Sequence, residues 1–147
     1  AHYSMIDAVK GHIYTGEPLA FLLDESQIQE TIEPYFMARI VDVAQFLRLY
    51  PFEGSIRPFH FVVTDPMAEW NNGIFSVATD REGTVSVTDE PAGKAVELDI
   101  QTLSAMLMGY KRPSYLARIE RLHTDKRTLR LLEEIIPDGQ PYFSDYF

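Results

Sequence analysis

The sequence predicts an α+β domain, in which helices cover one face of a mainly antiparallel sheet of about five strands. Two observations support this fold class. Short segments with period-two alternation follow one another between positions 56 and 100. From Gln101 the apolar spacing changes to the helical period and remains helical as far as Ile136. A run of strands followed by a run of helices is typical of α+β proteins.

The strongest local signal is a strand that leads directly into a helix. The segment Tyr35–Val41 is rich in aromatic and β-branched residues, which favours a buried strand. Asp42 has the chemistry of an N-cap, and Gln45 stands at the reciprocal position of a capping box. One apolar helix face follows, and Pro51 marks its end. That face is formed by Val43, Phe46, Leu47 and Tyr50.

Four more strands are predicted, at positions 56–64, 74–79, 84–88 and 95–100. The turn residues of 70–73 precede the second of them. The turn at 81–83 joins the next two strands into a hairpin. The last strand alternates most clearly, with Val96, Leu98 and Ile100 facing inward.

Three helices complete the predicted domain. The first covers 101–110, with Gly109 as its C-terminal cap. The second begins at Pro113, because proline is favoured in a first helical turn. The third lies between an Asp125 cap and Pro137. Met106 and Met108 are interpreted as core residues.

The first 34 residues carry too little apolar surface to fold alone, so we expect them to be the end of a neighbouring domain. They contain a helical turn near 3–10 and two extended segments, at 18–23 and 27–32. The chain starts with Ala1, and we expect it to be a fragment of a longer protein.

Composition excludes several classes of function. The chain has no cysteine, so disulfides, thiolate catalysis and cysteine-based zinc sites are absent. Its four histidines are far apart in sequence, and we expect no metal site. A net charge of -9 argues against nonspecific nucleic-acid binding. No apolar run approaches the roughly 20 residues of a membrane helix, and a cytoplasmic location is expected.

Basic residues are concentrated in one segment. Residues 111–130 hold seven of the 13 lysines and arginines and only two acidic residues. This segment therefore carries +5 and the rest of the chain -14. A solvated helical face is one interpretation. A subunit or domain interface, or a contact to a phosphate-bearing ligand, are the alternatives.

The chain ends on an aromatic segment, Tyr142–Phe147, in which four of six residues are aromatic. Each ring loses much by staying in water, since it can bury about 150–250 Å². We therefore expect this end to dock in a pocket or against a partner.

Five stretches in the same order resemble the bacterial Eis-like GNAT N-acetyltransferases. They are EPLAFLL (17–23), PYFMARIVDV (34–43), Asp65-Pro66 with Trp70-Asn71, LDIQTLSAMLMGY (98–110) and the aromatic end. The resemblance implies that 35–147 form the sterol carrier protein type 2-like C-terminal domain. It implies that 1–34 are the end or linker of the preceding GNAT-like domain.

The resemblance also implies a catalytic role for the chain end. In this family the terminal carboxylate, here that of Phe147, acts as the base of acetyl transfer. Its reference pKa of about 3.3–3.7 leaves it ionised at neutral pH. Asp145 and Tyr146 are expected to contribute to substrate binding, Asp145 by a second negative charge. Acetyl-CoA would be bound by a domain outside this chain, so the chain alone is expected to be inactive.

Other functions remain open at this point. The domain can be a lipid or sterol carrier, as the sterol carrier fold suggests, or a non-catalytic scaffold, because fold alone does not transfer function. The expected partners are the other domains of the polypeptide, further copies in a homo-oligomer, and a small-molecule or protein amine. Neither nucleic acid nor membrane is expected.

Overall fold

The structure is a computed structural model that describes residues 10–13, 18–22, 24, 28–33, 36–80 and 83–141. The chain divides into two units, Ala38–Pro141 and a second unit made of Ala1–Met37 with Tyr142–Phe147. The second unit contains one short described helix, α1 (Leu19–Leu22). All other described elements belong to the first unit.

The sheet has four strands among the described residues. They are β1 (Phe59–Thr64), β2 (Gly73–Thr79), β3 (Val85–Thr88) and β4 (Lys94–Asp99), in the order β3-β2-β1-β4. β2 is antiparallel to β1 and β3, whereas β1 and β4 are parallel. The predicted α+β class is confirmed, but the sheet is mixed, and the prediction of about five mainly antiparallel strands is corrected.

The parallel pair arises from the way in which the chain leaves β3. Thr88 lies level with Ser76, His60 and Ala95 across the four strands. Residues 89–93 must therefore cross over β2 and β1 before β4 begins on the far side. Sequence alternation predicts strands but does not reveal such a crossing, because it says nothing of strand order.

Two polar side chains hold this crossing segment against the sheet. The hydroxyl of Ser76 donates to the Glu90 carbonyl and accepts from the Ala92 amide at 3.0 Å. The His60 ring bonds the Ala92 carbonyl through Nδ1 at 3.0 Å. Both side chains are buried in the middle of the sheet because the crossing segment covers them.

The strand predicted at Tyr35–Val41 is wrong for its described part, which is irregular from residue 36 to 41. Its backbone groups bond to side chains instead of to a neighbouring strand. The Ile40 amide donates to Ser104 Oγ at 3.1 Å. The Val41 carbonyl accepts from Trp70 Nε1 and Asn71 Nδ2. These side chains take the place of a β-ladder.

The extended segments predicted near the N-terminus are also not strands. The described part of 18–23 contains helix α1, and residues 28–33 form no regular structure. The helical turn predicted near 3–10 lies outside the described residues, except for Lys10.

The remaining described helices are α2 (Val43–Leu49), α3 (Ile100–Leu107), α4 (Pro113–Arg118) and α5 (Lys126–Ile135). Three of them, α2, α4 and α5, begin where the sequence predicted. Asp42 caps α2 by accepting from the Gln45 amide at 2.9 Å. Asp125 caps α5 in the same way through the amides of Arg127 and Thr128. Asp99, which the sequence analysis placed within a strand, caps α3.

One face of the sheet and the inner faces of these helices form a continuous hydrophobic core. Phe59, Phe61 and Val63 of β1 lie on this face and are buried, as their alternation predicted. The largest fully buried helical side chains are Leu47, Ile100, Leu103, Met106, Leu132 and Ile135. β1, β4, α2 and α3 all contribute buried side chains to this core. These elements therefore support the surface sites of the unit.

Candidate functional site

The residues that the sequence analysis assigned to catalysis and substrate binding are Phe147, Asp145 and Tyr146. All three lie outside the described residues, so their roles stay predictions. The site that the structure does describe is built around Asp65, directly after β1, and around the surface groove beside α2.

Asp65 is a buried carboxylate that accepts hydrogen bonds from backbone amides, from Asn71 and from Arg39. Its Oδ1 accepts the backbone amides of Met67 and Ala68, at 3.0 and 3.2 Å. Its Oδ2 accepts from Asn71 Nδ2 at 2.9 Å. Arg39 Nη2 lies 2.6 and 2.5 Å from the two oxygens. The carboxylate thus joins the loop after β1 to the segment that leads into α2.

This environment keeps Asp65 ionised. Burial by itself opposes the charge, but the hydrogen bonds from Asn71, the Met67 amide and Arg39, with the positive charge of Arg39, lower its pKa to about 2. A carboxylate with so low a pKa is a poor proton acceptor at neutral pH. Asp65 therefore acts as an anchor and does not serve as a general base.

Two asparagines extend the same network to the backbone. Asn71 accepts the Val43 amide at 3.1 Å and donates to the Val41 carbonyl at 3.0 Å, so it holds the first turn of α2. Asn72 pairs with the backbone of Asp65 through both ends of its side-chain amide. From the sequence alone, these asparagines are predicted only as turn residues. The spacing from Asp65-Pro66 to Trp70-Asn71-Asn72 is the signal that marks the network.

A surface groove of about 610 Å³ lies next to this anchor. Its walls come from α2, from the segment before it and from the end of α3. The lining is mostly apolar, with Arg39 and Asp42 as its charged residues. The apolar lining includes Val41, Phe46, Leu49, Tyr50, Leu107 and Met108. Burial, the largest influence on the Tyr50 hydroxyl, raises its pKa to about 12, so Tyr50 is neutral at physiological pH.

A second, polar groove of about 390 Å³ lies where β1 and β4 end. Arg121 Nη2 donates to Asp99 Oδ2 at 2.8 Å across it. Partial burial raises the pKa of Asp99, but the bonds from Thr102 and the charge of Arg121 outweigh it and lower that pKa. His123 forms a two-bond backbone bridge with Glu97. Because Asp99 also caps α3, this groove serves to join secondary-structure elements.

The basic segment is divided between structural and surface roles. Arg112 donates to Glu133 Oε2 at 2.9 Å and to the carbonyls of Ile136 and Pro137, which ties α4 to the end of α5. Lys111 Nζ lies 4.5 Å from the centroid of the Tyr110 ring. Arg112 and Arg121 are thus internal ties, whereas the exposed cations of α5 fit a solvated face.

The described residues carry no group of three or more metal-binding side chains in reach of one ion. No described helix is both long and apolar enough to cross a lipid bilayer. This geometry offers a mostly apolar groove beside the Arg39–Asp65 ion pair, which is suited to binding.

We predict that the stability of the unit depends on pH in acid. The pKa values of Asp65, Asp99, Asp125 and Glu133 are all lowered by folding. A lowered pKa contributes stability above the unfolded value of 3.8 for Asp or 4.5 for Glu, and that stability is lost as pH falls toward the folded value. Urea denaturation should give a level midpoint between about pH 7 and 5 and a falling one toward pH 2. An unchanged midpoint at pH 3 would contradict this.

The chain matches the family described as Sterol carrier protein domain over residues 43–144, more than half of its length. No curated protein matches it. Among solved structures it is similar to a conserved protein of unknown function from Enterococcus faecalis V583, called a probable N-acyltransferase. The two share 32% identity and superpose with a TM-score of 0.81, over 91% of this chain and 34% of the other.

Two further structures are similar. A GCN5-related N-acetyltransferase from Anabaena variabilis ATCC 29413 is 25% identical, with a TM-score of 0.70 over 86% of this chain and 32% of that one. Eis1 from Mycobacterium abscessus is 22% identical, with a TM-score of 0.62 over 74% of this chain and 27% of its own, and shows the shared fold. This chain spans about a third of the length of these proteins. On the family match, the chain belongs to the sterol carrier protein domain family.

Proposed function

We propose that this chain is the C-terminal, sterol carrier-type domain of an Eis-like, acetyl-CoA-dependent N-acetyltransferase. The observation that carries the proposal is the 32% identity over 91% of the chain with the Enterococcus protein, itself called a probable N-acyltransferase. The similar Anabaena structure is a GCN5-related N-acetyltransferase, which supports the same class. Since about two thirds of each of these chains has no counterpart here, acetyl-CoA would bind outside the 147 residues.

The contribution of this domain to the reaction would be the carboxylate of Phe147. Acetyl transfer needs a neutral amine, so a protonated amine must first lose a proton to a nearby base. A terminal carboxylate is ionised at neutral pH and attracts a cationic amine. To accept a proton from that amine it must be desolvated in the closed site, which raises its pKa, or act through a water relay. Asp145 would add to this attraction, and Tyr146 would line the amine site. Assembly of the polypeptide into a homo-oligomer is part of the same proposal.

The test moves the carboxylate without removing the aromatic ring. Two glycines added after Phe147 in the complete protein are expected to lower kcat/KM for acetyl transfer by about 10²–10⁴, the range of a lost general base. Phe147→Leu is the matched control, because it keeps the carboxylate in place and removes only the ring. Full activity of the extended protein would overturn the catalytic role and favour a scaffold.

A lipid carrier is the second candidate, and the groove beside α2 is the observation that favours it. Its volume of about 610 Å³ falls within the range of small-molecule sites, and its lining is mostly apolar. The core beneath the groove is filled, however, by side chains such as Phe61, Leu103 and Met106. Saturable binding of a fluorescent fatty acid, abolished by Leu49→Arg in the groove and retained by Ile119→Arg, would favour the carrier.

A further inference from the structure

Four large apolar side chains are exposed on α2, on the segment before it and on the loop after β1. The exposed fractions are 66% for Val41, 76% for Leu49, 79% for Met67 and 68% for Trp70. Val41 and Leu49 line the same groove. Trp70 bonds the Val41 carbonyl. The Met67 amide donates to Asp65 Oδ1. Arg39, the ion-pair partner of Asp65, also lines the groove. We call these four residues and the groove the apolar face.

Trp70 is held in one orientation on this face. Its Nε1 donates to the Val41 carbonyl at 2.8 Å, so the polar atom of the indole is satisfied within the domain. Its neighbour Asn71 is fully buried and bonded to Asp65 and to the first turn of α2. The ring is therefore preorganised while most of it faces outward. Rigid, exposed tryptophans of this kind are enriched among the residues that dominate binding at protein interfaces.

The composition of the face favours a folded protein domain as its occupant. Contiguous apolar surface on a soluble protein marks an interaction site. The charged residues that line the groove are Arg39, which is paired with Asp65, and Asp42, which caps α2. An apolar centre with polar groups around it is the usual organisation of a protein interface.

We propose that the apolar face is the docking surface for another domain of the same polypeptide, with Trp70 as its anchor. This inference rests on the proposed function for the identity of that domain. The Enterococcus and Anabaena structures, which match 91% and 86% of this chain, are about three times as long, so in a polypeptide of that length a further domain would be available to cover the face. Docking here would hold the sterol carrier-type unit rigidly against the rest of the enzyme.

Hydroxyl-radical footprinting tests the proposal, because methionine and tryptophan are readily oxidised when exposed. The rates at Met67 and Trp70, the single tryptophan of the chain, are measured in the 147-residue chain and in the protein encoded by the complete reading frame. We expect both rates to fall by about tenfold in the longer protein, since interface centres exclude water. Tyr110, exposed after α3, is the internal control and should react equally in both.

A pair of variants separates docking from folding. Trp70→Lys in the longer protein is expected to restore rapid oxidation at Met67, whereas Ile119→Lys, at an exposed apolar residue directly after α4, should not. Equal rates in the two proteins, or a reading frame without a further domain, would overturn the proposal. Protection of the 147-residue chain that grows with its concentration would assign the face to a second copy, and protection by phosphatidylcholine vesicles would assign it to a lipid surface. Either result overturns it.

The two proposals fail separately. Protection of Met67 and Trp70 in a longer protein that acetylates no amine would keep the docking surface and overturn the proposed function. Acetyl transfer by a longer protein in which both side chains still oxidise rapidly would keep the function and overturn the docking surface.

Discussion

Replacing Gly93 with alanine is expected to destabilise the domain on the order of 4 kcal/mol, from a steric overlap together with a strained backbone angle. Gly93 is the last residue of the segment that crosses the sheet, and its φ is +68°. A Cβ at this position would overlap the backbone carbonyl group of Pro58, the residue directly before β1. Because neither backbone can yield without moving β1 or β4, the overlap cannot be relieved locally.

Two other glycines separate the causes. Gly54 has a similar φ of +69° but open space around it, so Gly54→Ala should cost only the strain, about 1–2 kcal/mol. Gly139 has neither constraint, and Gly139→Ala should change the stability by less than about 0.5 kcal/mol. Urea denaturation followed by circular dichroism gives all three values. If Gly93→Ala were no worse than Gly54→Ala, the close crossing of residues 89–93 over β1 would be wrong.

Asp65→Asn is expected to give the second large effect, a fall in Tm of about 10 °C or more at pH 7. The substitution keeps the size of the side chain but turns one acceptor oxygen into an NH₂ donor. That donor would then face Arg39 Nη2 and Asn71 Nδ2, which are donors themselves. The hydrogen bonds that are lost lie at a buried site, which connects the loop after β1 with the start of α2.

Asp138→Asn is the matched control for Asp65→Asn. Its carboxylate is almost fully exposed and lies 4.0 Å from Arg112, so removing its charge should shift Tm by no more than about 2 °C. Asp65→Asn should also make the acid dependence shallower, because a carboxylate whose pKa falls to about 2 on folding is gone. A variant as stable as the parent at pH 7 would show that the Asp65 network does not hold the fold.

Helices α2, α4 and α5 are the elements that the sequence predicts well. The Asp125 cap, the apolar spacing of α5 and Pro137 after it all act within a few residues, and the structure confirms each of them. Pro113 likewise begins α4, and Asp42 caps α2. The prediction of a strand before α2 was wrong because an apolar segment can satisfy its backbone through side chains, here those of Ser104, Trp70 and Asn71.

The candidate site was harder to predict. From the sequence alone, the residues after β1 are predicted only to form a turn. The structure shows that Asp65 bonds to Arg39 and Asn71 to Val43, partners that lie 26 or more residues away along the chain. Periodicity reports the two faces of one element and carries no information on which distant segment will cover them. The chain end, with Phe147, was identified from its resemblance to a family and stays a prediction.

By itself, the sequence of this protein determined the caps of α2 and α5, the start of α4, the buried faces of β1 and β4, and the α+β class, since these depend on neighbours along the chain. Only the tertiary structure decided the order β3-β2-β1-β4, the parallel pairing of β1 with β4, and the burial of His60, Ser76 and Asp65. The physical reason is that those features depend on which surfaces remain to be covered once the core is packed. That balance involves residues from every element of the unit at once.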